Sequence, residues 1–260
     1  MLDLLPLALL ALAAAVHPLR IPVLLLLGMG YATIRTRDPR RAPAWAGTLP
    51  VAVSLSWGLV SLPPSATDGS TCAGVLAPFA TWRVAEAFVA LATLTALVPL
   101  VGGGPGAIGL RRPSRSVGLL SIAALVVLGP LAMVLGPLLA GPFFGEVDLA
   151  VGEPAALVSA LVFAVANGVM EETIYRGSLQ AWTARTTGPG IAIVGQAIVF
   201  GLAHGGPDFV GSPLPVIAAM AAGGLIAGLI AWRTGSLALP IAAHVGLDIP
   251  LYYGNACRLT

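Results

Sequence analysis

Of 260 residues, 57% are hydrophobic and only 9% charged, whereas soluble domains carry roughly 25% charged residues. That balance sets aside a water-soluble domain. Apolar runs near bilayer-spanning length recur along the chain, which points to a polytopic helical membrane protein. A net charge of +2 gives no argument for nucleic acid, and the 13 basic residues are all arginine, which fits a GC-rich bacterial genome together with the Ala, Gly and Pro content. The two cysteines, Cys72 and Cys257, lie far apart, make no disulfide framework and read as unpaired.

The chain starts Met1-Leu2-Asp3 without a positive n-region, so its beginning reads as membrane segment rather than as a removed signal peptide. Residues 4–34 are nearly all apolar but are interrupted by His17-Pro18-Leu19-Arg20-Ile21-Pro22; one spanning helix with an irregular N-terminal part is expected. The basic stretch 35–41 is assigned to the cytoplasm by the positive-inside rule. Residues 45–62 then run outward, 63–78 form a turn-rich outer loop, and 84–101 return. Gly102-Gly103-Gly104-Pro105-Gly106 lacks the Gly-Lys-Ser/Thr ending of a phosphate loop and reads as a flexible linker. Arg111, Arg112 and Arg115 mark a second cytoplasmic loop, and residues 117–139 span outward again. Residues 141–153 form an outer loop whose Glu146, Asp148 and Glu153 make a solvated acidic rim.

From Pro154 to Arg185 one helix of roughly 46 Å is expected at 1.5 Å per residue, longer than a ~30 Å hydrocarbon core, so it tilts or emerges at the surface. Gly188-Pro189-Gly190 breaks it; residues 191–204 go outward and 213–232 return. Gly224 and Gly228 stand at GxxxG spacing, which signals close helix packing. Residues 237–253 form the last span. The expected fold is therefore all-α, a membrane bundle of about eight transmembrane helices without an internal repeat. Residues 1–150 supply N-terminal spans and 151–260 the helices that carry chemistry.

The chemistry is announced at Glu171-Glu172-Thr173-Ile174-Tyr175-Arg176. A charge at the bilayer centre costs roughly 2.5–3.5 kcal/mol on insertion scales, so such residues face a bundle interior or a wet cavity and mark function. Glu172 and Arg176 are i and i+4 and can pair on one helical face. Glu171 lies about 100° round the helix and stays available for chemistry. Two of the three histidines sit in apolar helices: His204, four residues after Phe200, and His244, four before Asp248. Each alone reads as a hydrogen-bonded core residue, but the set reads as one site. A glutamate in a low-dielectric pocket suits general-base work on a water that attacks a carbonyl. Neighbouring imidazoles would hold the water or stabilise the oxyanion, and Asp248 would orient His244. Glu171, His204 and His244 also match the preferences of zinc with an open fourth position. No His-Glu-x-x-His motif is present, which ranks the metal reading second.

Glu171-Glu172-x-x-x-Arg176, Phe200-x-x-x-His204 and His244-x-x-x-Asp248, in this order on separate helices, resemble the CAAX protease and bacteriocin-processing family of intramembrane endopeptidases. The resemblance covers roughly the last 110 residues. It implies peptide-bond hydrolysis in a cavity open to the cytoplasmic side. By the family's pattern Glu171 activates water, Glu172 pairs with Arg176, His204 helps to bind the water, and His244 with Asp248 stabilises the oxyanion. Asp248 stands where the prenyl-protein proteases have Asn. A peptide precursor or a membrane protein is the implied substrate, in a bacterial cytoplasmic membrane. Two rivals compete: a catalytically silent scaffold of the same family, such as a bacteriocin-immunity or sensor-kinase partner, and a secondary transporter with a Glu–His proton relay. The transporter would show interrupted helices in two related halves, and the sequence has none.

Overall fold

A computed structural model describes residues 3–61, 72–144, 154–205 and 213–256. Among them all regular structure is helical: α1 (Leu5–Ala15), α2 (Arg20–Arg37), α3 (Ala42–Val60), α4 (Cys72–Leu97), α5 (Arg115–Phe144), α6 (Pro154–Glu171), α7 (Ala181–Thr187), α8 (Pro189–Ala203), α9 (Pro213–Thr234) and α10 (Ala238–Ala256). Five stretches are long and apolar enough to cross a membrane: His17–Arg37, Leu76–Val101, Arg115–Ala132, Ala156–Thr187 and Leu214–Thr234. Three shorter apolar helices, Leu5–Ala15, Pro189–Ala203 and Ala238–Ile249, accompany them. The molecule is thus a polytopic helical bundle. Glu146, Asp148, Glu153 and Cys257 lie outside the described residues.

The bundle is organised around α3 and the segment after α6. α3 is buried without a break from Ala42 to Ala52, and it packs on α2, α4 and the stretch after α6. Large side chains from several helices meet there: Leu10, Leu27, Leu94, Ile174, Leu179 and Trp182 are almost wholly buried. By contrast α5 turns Leu119, Ile122 and Val126 outward, an apolar surface that suits lipid.

Four expectations change. Residues 4–34 make two helices rather than one, because Val16 is extended (φ −122°, ψ 92°) and a short helical turn, His17–Leu19, reverses the chain. Pro18 has no N–H with which to continue the α1 ladder. α1 then lies against α8 and α3, while Arg20 ties the start of α2 to the end of α3 through the Leu55 carbonyl, 3.1 Å away. Second, α4 starts at Cys72 rather than near Val84, running through Pro78. Burial of Leu76 and Ala80 holds that extra length together. Third, the glycine-rich stretch is no flexible linker. Helical turns at Pro99–Val101 and Pro105–Ile108 form an ordered strap. The Trp182 indole donates to the Ala107 carbonyl at 3.1 Å, Arg185 to the Val101 carbonyl at 3.3 Å, and the Leu237 amide to the Gly109 carbonyl at 3.2 Å.

The fourth concerns the long helix expected over 154–185. It widens into a nine-residue π-helix, Glu172–Gln180, before resuming as α7. Ladder bonds running to i+5 leave carbonyls off their usual partners, and two hydroxyls attend to them. Thr173 Oγ1 donates to the Val169 carbonyl at 2.6 Å, and Ser178 Oγ to the Ile174 carbonyl at 2.6 Å. Such back-bonding bends helices. Gly177 lets the strap lie directly beneath: a Cβ there would sit 2.5 Å from the Ile108 carbonyl oxygen. The GxxxG pair of α9 packs closely, as the spacing predicts. A Cβ on Gly224 would approach Ala197 Cα to 3.2 Å, and the Gly224 and Gly228 carbonyls accept hydrogen bonds from Gln196 (2.8 Å) and Gln180 (3.0 Å).

Candidate active site

The junction of α6 and the π-helix presents Glu171, Glu172 and Arg176 toward α8 and α10. All three are buried, with relative exposures of 8%, 1% and 3%. Arg176 Nη1 lies 3.0 Å from Glu172 Oε1. The same carboxylate oxygen accepts from His244 Nδ1 at 2.8 Å, so Glu172 bridges Arg176 and the imidazole on α10. Buried carboxylates survive when paired and hydrogen-bonded, and Glu172 has both kinds of partner.

Glu171 is treated differently. Its Oε2, like that of Glu172, is buried without a hydrogen-bond partner, but where Glu172 Oε1 is held by Arg176 and His244, the nearest cation-capable neighbour of Glu171 is His244 Nε2 at 3.6 Å. Asp248 Oδ1 stands 3.5 Å from the same nitrogen. Both separations exceed hydrogen-bond length. His244 is therefore oriented by Glu172 through Nδ1, and not by Asp248. Its Nε2 looks into the space between two carboxylates, an arrangement that a doubly protonated imidazolium satisfies. Asp248 has its own holder: Asn167 Nδ2 donates to Asp248 Oδ2 at 2.7 Å.

His204 follows the last residue of α8, and its Nδ1 contacts the Phe200 carbonyl at 2.7 Å. Phe200 is the hub between the two imidazoles. Its ring centre lies 4.6 Å from that of His204, 6.2 Å from His244 and 5.0 Å from Tyr175, and the Arg176 guanidinium sits 4.5 Å above it. The Arg176 contact is a cation–π pair in a desolvated place, where such pairs are strongest. Counted along the helices, the two histidines lie at different depths, ~20 Å from Gly190 and ~16 Å from Arg233; the folded chain brings both to the wall of one cavity.

That cavity measures about 470 Å³ and is lined by Glu171, Glu172, Arg176, Phe200, His204, His244 and Asp248 at its polar side. The remaining wall is apolar, built by α9 (Met220, Ile226, Ile230) and α10 (Pro240, Ala243, Leu247). All six residues expected to act together thus border one space. The sequence reading missed two others on this wall, Asn167 and Arg83, and two that stand behind Arg83, Glu86 and Ser54. Asn167 sits one turn before Glu171 and borders the cavity. Arg83 also borders it, and donates through Nη1 to Glu86 Oε2 at 2.6 Å. Glu86 Oε1 in turn accepts from Ser54 Oγ at 2.6 Å. For the charged pair part of the signal was present: Arg83 and Glu86 form an Arg-x-x-Glu pair at the start of the apolar run expected over 84–101.

Among the described residues no group of three His, Cys, Asp or Glu side chains converges as metal ligands would. His244 Nδ1 is held by Glu172 and His204 Nδ1 contacts the Phe200 carbonyl, bonds of the kind that orient an imidazole for work at its other nitrogen.

Residues 153–249 match the family described as Rce1-like, type II CAAX prenyl endopeptidase. The match takes in all three motifs and leaves Arg83, Glu86 and Ser54 outside. It supports a CAAX-type intramembrane protease in general terms, with a peptide or protein as substrate and a membrane as setting. No curated protein and no solved structure matches the chain.

Proposed function

We propose that this integral membrane protein, Rce1-like over residues 153–249, is an endopeptidase in which Glu171 activates a water for attack on a peptide carbonyl. The observation that carries the reading is the buried, unpartnered Oε2 of Glu171 beside His244 Nε2 at 3.6 Å, on the wall of the 470 Å³ cavity. Glu172 is the structural acid: tied to Arg176 and His244, it keeps the imidazole turned toward Glu171. As water adds, Glu171 takes its proton and the carbonyl π pair moves onto oxygen, where His244 Nε2–H stabilises it. When the intermediate collapses, the C–N bond breaks and the proton passes to the leaving amine. His204 supports the water from the far side of Phe200. The apolar wall of α9 and α10 suits a peptide precursor or membrane protein that presents an extended apolar segment, in a bacterial cytoplasmic membrane. No step runs through a metal.

The test is cleavage of a library of apolar and lipidated peptides by purified protein in liposomes. Wild type cleaves a subset and EDTA leaves the rate unchanged. Glu171→Gln lowers kcat by ~10²–10⁴ while its thermal unfolding curve stays that of wild type. Equal behaviour of both proteins, with a cellular phenotype that survives Glu171→Gln, would replace the protease with a scaffold.

A further inference from the structure

One ion pair in the membrane interior belongs to none of the three motifs. Arg83 and Glu86 lie on α4, outside residues 153–249. Intramembrane charges that face a cavity default to function. Arg83 faces this one: it borders the cavity with Asn167 and Asp248, and its side chain is 20% exposed against 5% for Glu86. It is also held rigidly. Glu86 grips Nη1 at 2.6 Å and is itself braced by Ser54 at 2.6 Å, while the guanidinium lies 5.5 Å from the Trp82 ring and 5.2 Å from the Phe163 ring. A planar cation fixed at the edge of the cavity is the kind of preorganised group that stabilises developing charge without reorganising.

The need for it follows from position 248. An ionised aspartate only accepts hydrogen bonds, and Asp248 accepts one from Asn167. In that state it cannot donate to an oxyanion as an amide could. Three acidic side chains, Glu171, Glu172 and Asp248, border the cavity, so negative charge that develops there gains from a fixed cationic donor besides His244. Arg176, almost wholly buried, pairs with Glu172 and lies over the Phe200 face, whereas Arg83 is the more exposed arginine on this wall.

We propose that Arg83 is a further catalytic residue, a donor from α4 to the carbonyl oxygen of the scissile bond as it becomes an oxyanion. Glu86 and Ser54 are its positioning residues. The proposal rests on the endopeptidase reading and adds no step to it: water supplies the nucleophilic oxygen, Glu171 receives the proton, and Arg83 moves neither proton nor electron.

The experiment uses the full-length protein in liposomes and one cleaved peptide in two forms. Binding of the uncleaved peptide is measured in the Glu171→Gln background, and binding of a phosphinate analogue, which mimics the tetrahedral oxyanion, in the active background. Arg83→Met is expected to lower kcat by ~10²–10³ at little change in KM. Phosphinate binding should weaken by a similar factor while the uncleaved peptide binds as before. Arg83→Lys, which keeps the charge but not the fork, is expected to recover part of both. Equal weakening of the two ligands, or an unchanged kcat, overturns the proposal. If Arg83→Met does not fold, the same pair of ligands on Arg83→Lys decides: about a tenfold selective loss of phosphinate affinity supports it, and parity overturns it. Wild-type cleavage and its loss in Glu171→Gln are read separately, so a failure of Arg83 leaves the endopeptidase reading intact.

Discussion

Two acid–arginine pairs sit in the interior of this bundle, and they are built in opposite ways. On the π-helix Glu172 precedes Arg176 by four residues, and both side chains are shut away at 2% and 1% exposure. On α4 Arg83 precedes Glu86 by three, and the arginine is the exposed member at 20%. Each acid has one additional partner, His244 for Glu172 and Ser54 for Glu86. The difference teaches which group each pair presents to the cavity. The π-helix pair buries its cation to hold an acid that aims a histidine; the α4 pair buries its acid to hold a cation that looks outward.

The sharpest way to break this contrast is Arg176→Met. It leaves Glu172 in the interior with His244 as its one remaining partner, a loss of about 3–5 kcal/mol, readable as a drop in unfolding temperature in detergent. The double variant Arg176→Met/Glu172→Gln should regain much of that stability, since replacing both members of a buried pair by uncharged groups is often neutral. Activity should not return with it, because His244 loses its holder. Arg83→Met is expected to cost less, about 1–2 kcal/mol, because that arginine is partly solvated from the cavity. Its effect on turnover should exceed its effect on stability, the reverse of Arg176→Met. The smallest change is Ser54→Ala, about 1 kcal/mol for one hydrogen bond to a carboxylate that keeps its arginine. A thermal scan of all four variants in one lipid mixture checks the order; equal losses for Arg176→Met and Arg83→Met would erase the distinction.

Much of this site was legible in the residues. Charged and imidazole side chains in apolar helices are so costly that Glu171, Glu172, Arg176, His204, His244 and Asp248 stood out without coordinates. The partnerships were less legible. Spacing allowed Asp248 to serve His244 on the same helix, yet Glu172, 72 residues away in sequence, occupies that nitrogen. Asn167 escaped because an amide in an apolar helix carries no charge to flag it. Arg83 and Glu86 escaped because they stand at the edge of an apolar run, where an interfacial anchor is the ordinary reading. The two-helix N-terminus and the strap at 99–109 were missed because proline and glycine mark breaks without saying what the broken chain packs on. Trp182, Arg185 and Leu237 supply that, and all three come from elsewhere in the chain.

The widened turn at Glu172–Gln180 makes the chain unusually sensitive to length. Side-chain substitutions there can be tested singly, but the number of residues cannot change freely. Removing one, Ser178 for instance, would let the ladder relax into ordinary α geometry. Everything downstream would then change its rotation and rise about the axis. Trp182 would leave the Ala107 carbonyl that it now reaches at 3.1 Å, and Gln180 would leave Gly228. Apart from Glu172, Arg176 and Gly177, whose side chains or lack of one the fold requires, residues within this stretch can be traded more easily than it can be shortened, so related chains should hold its length constant.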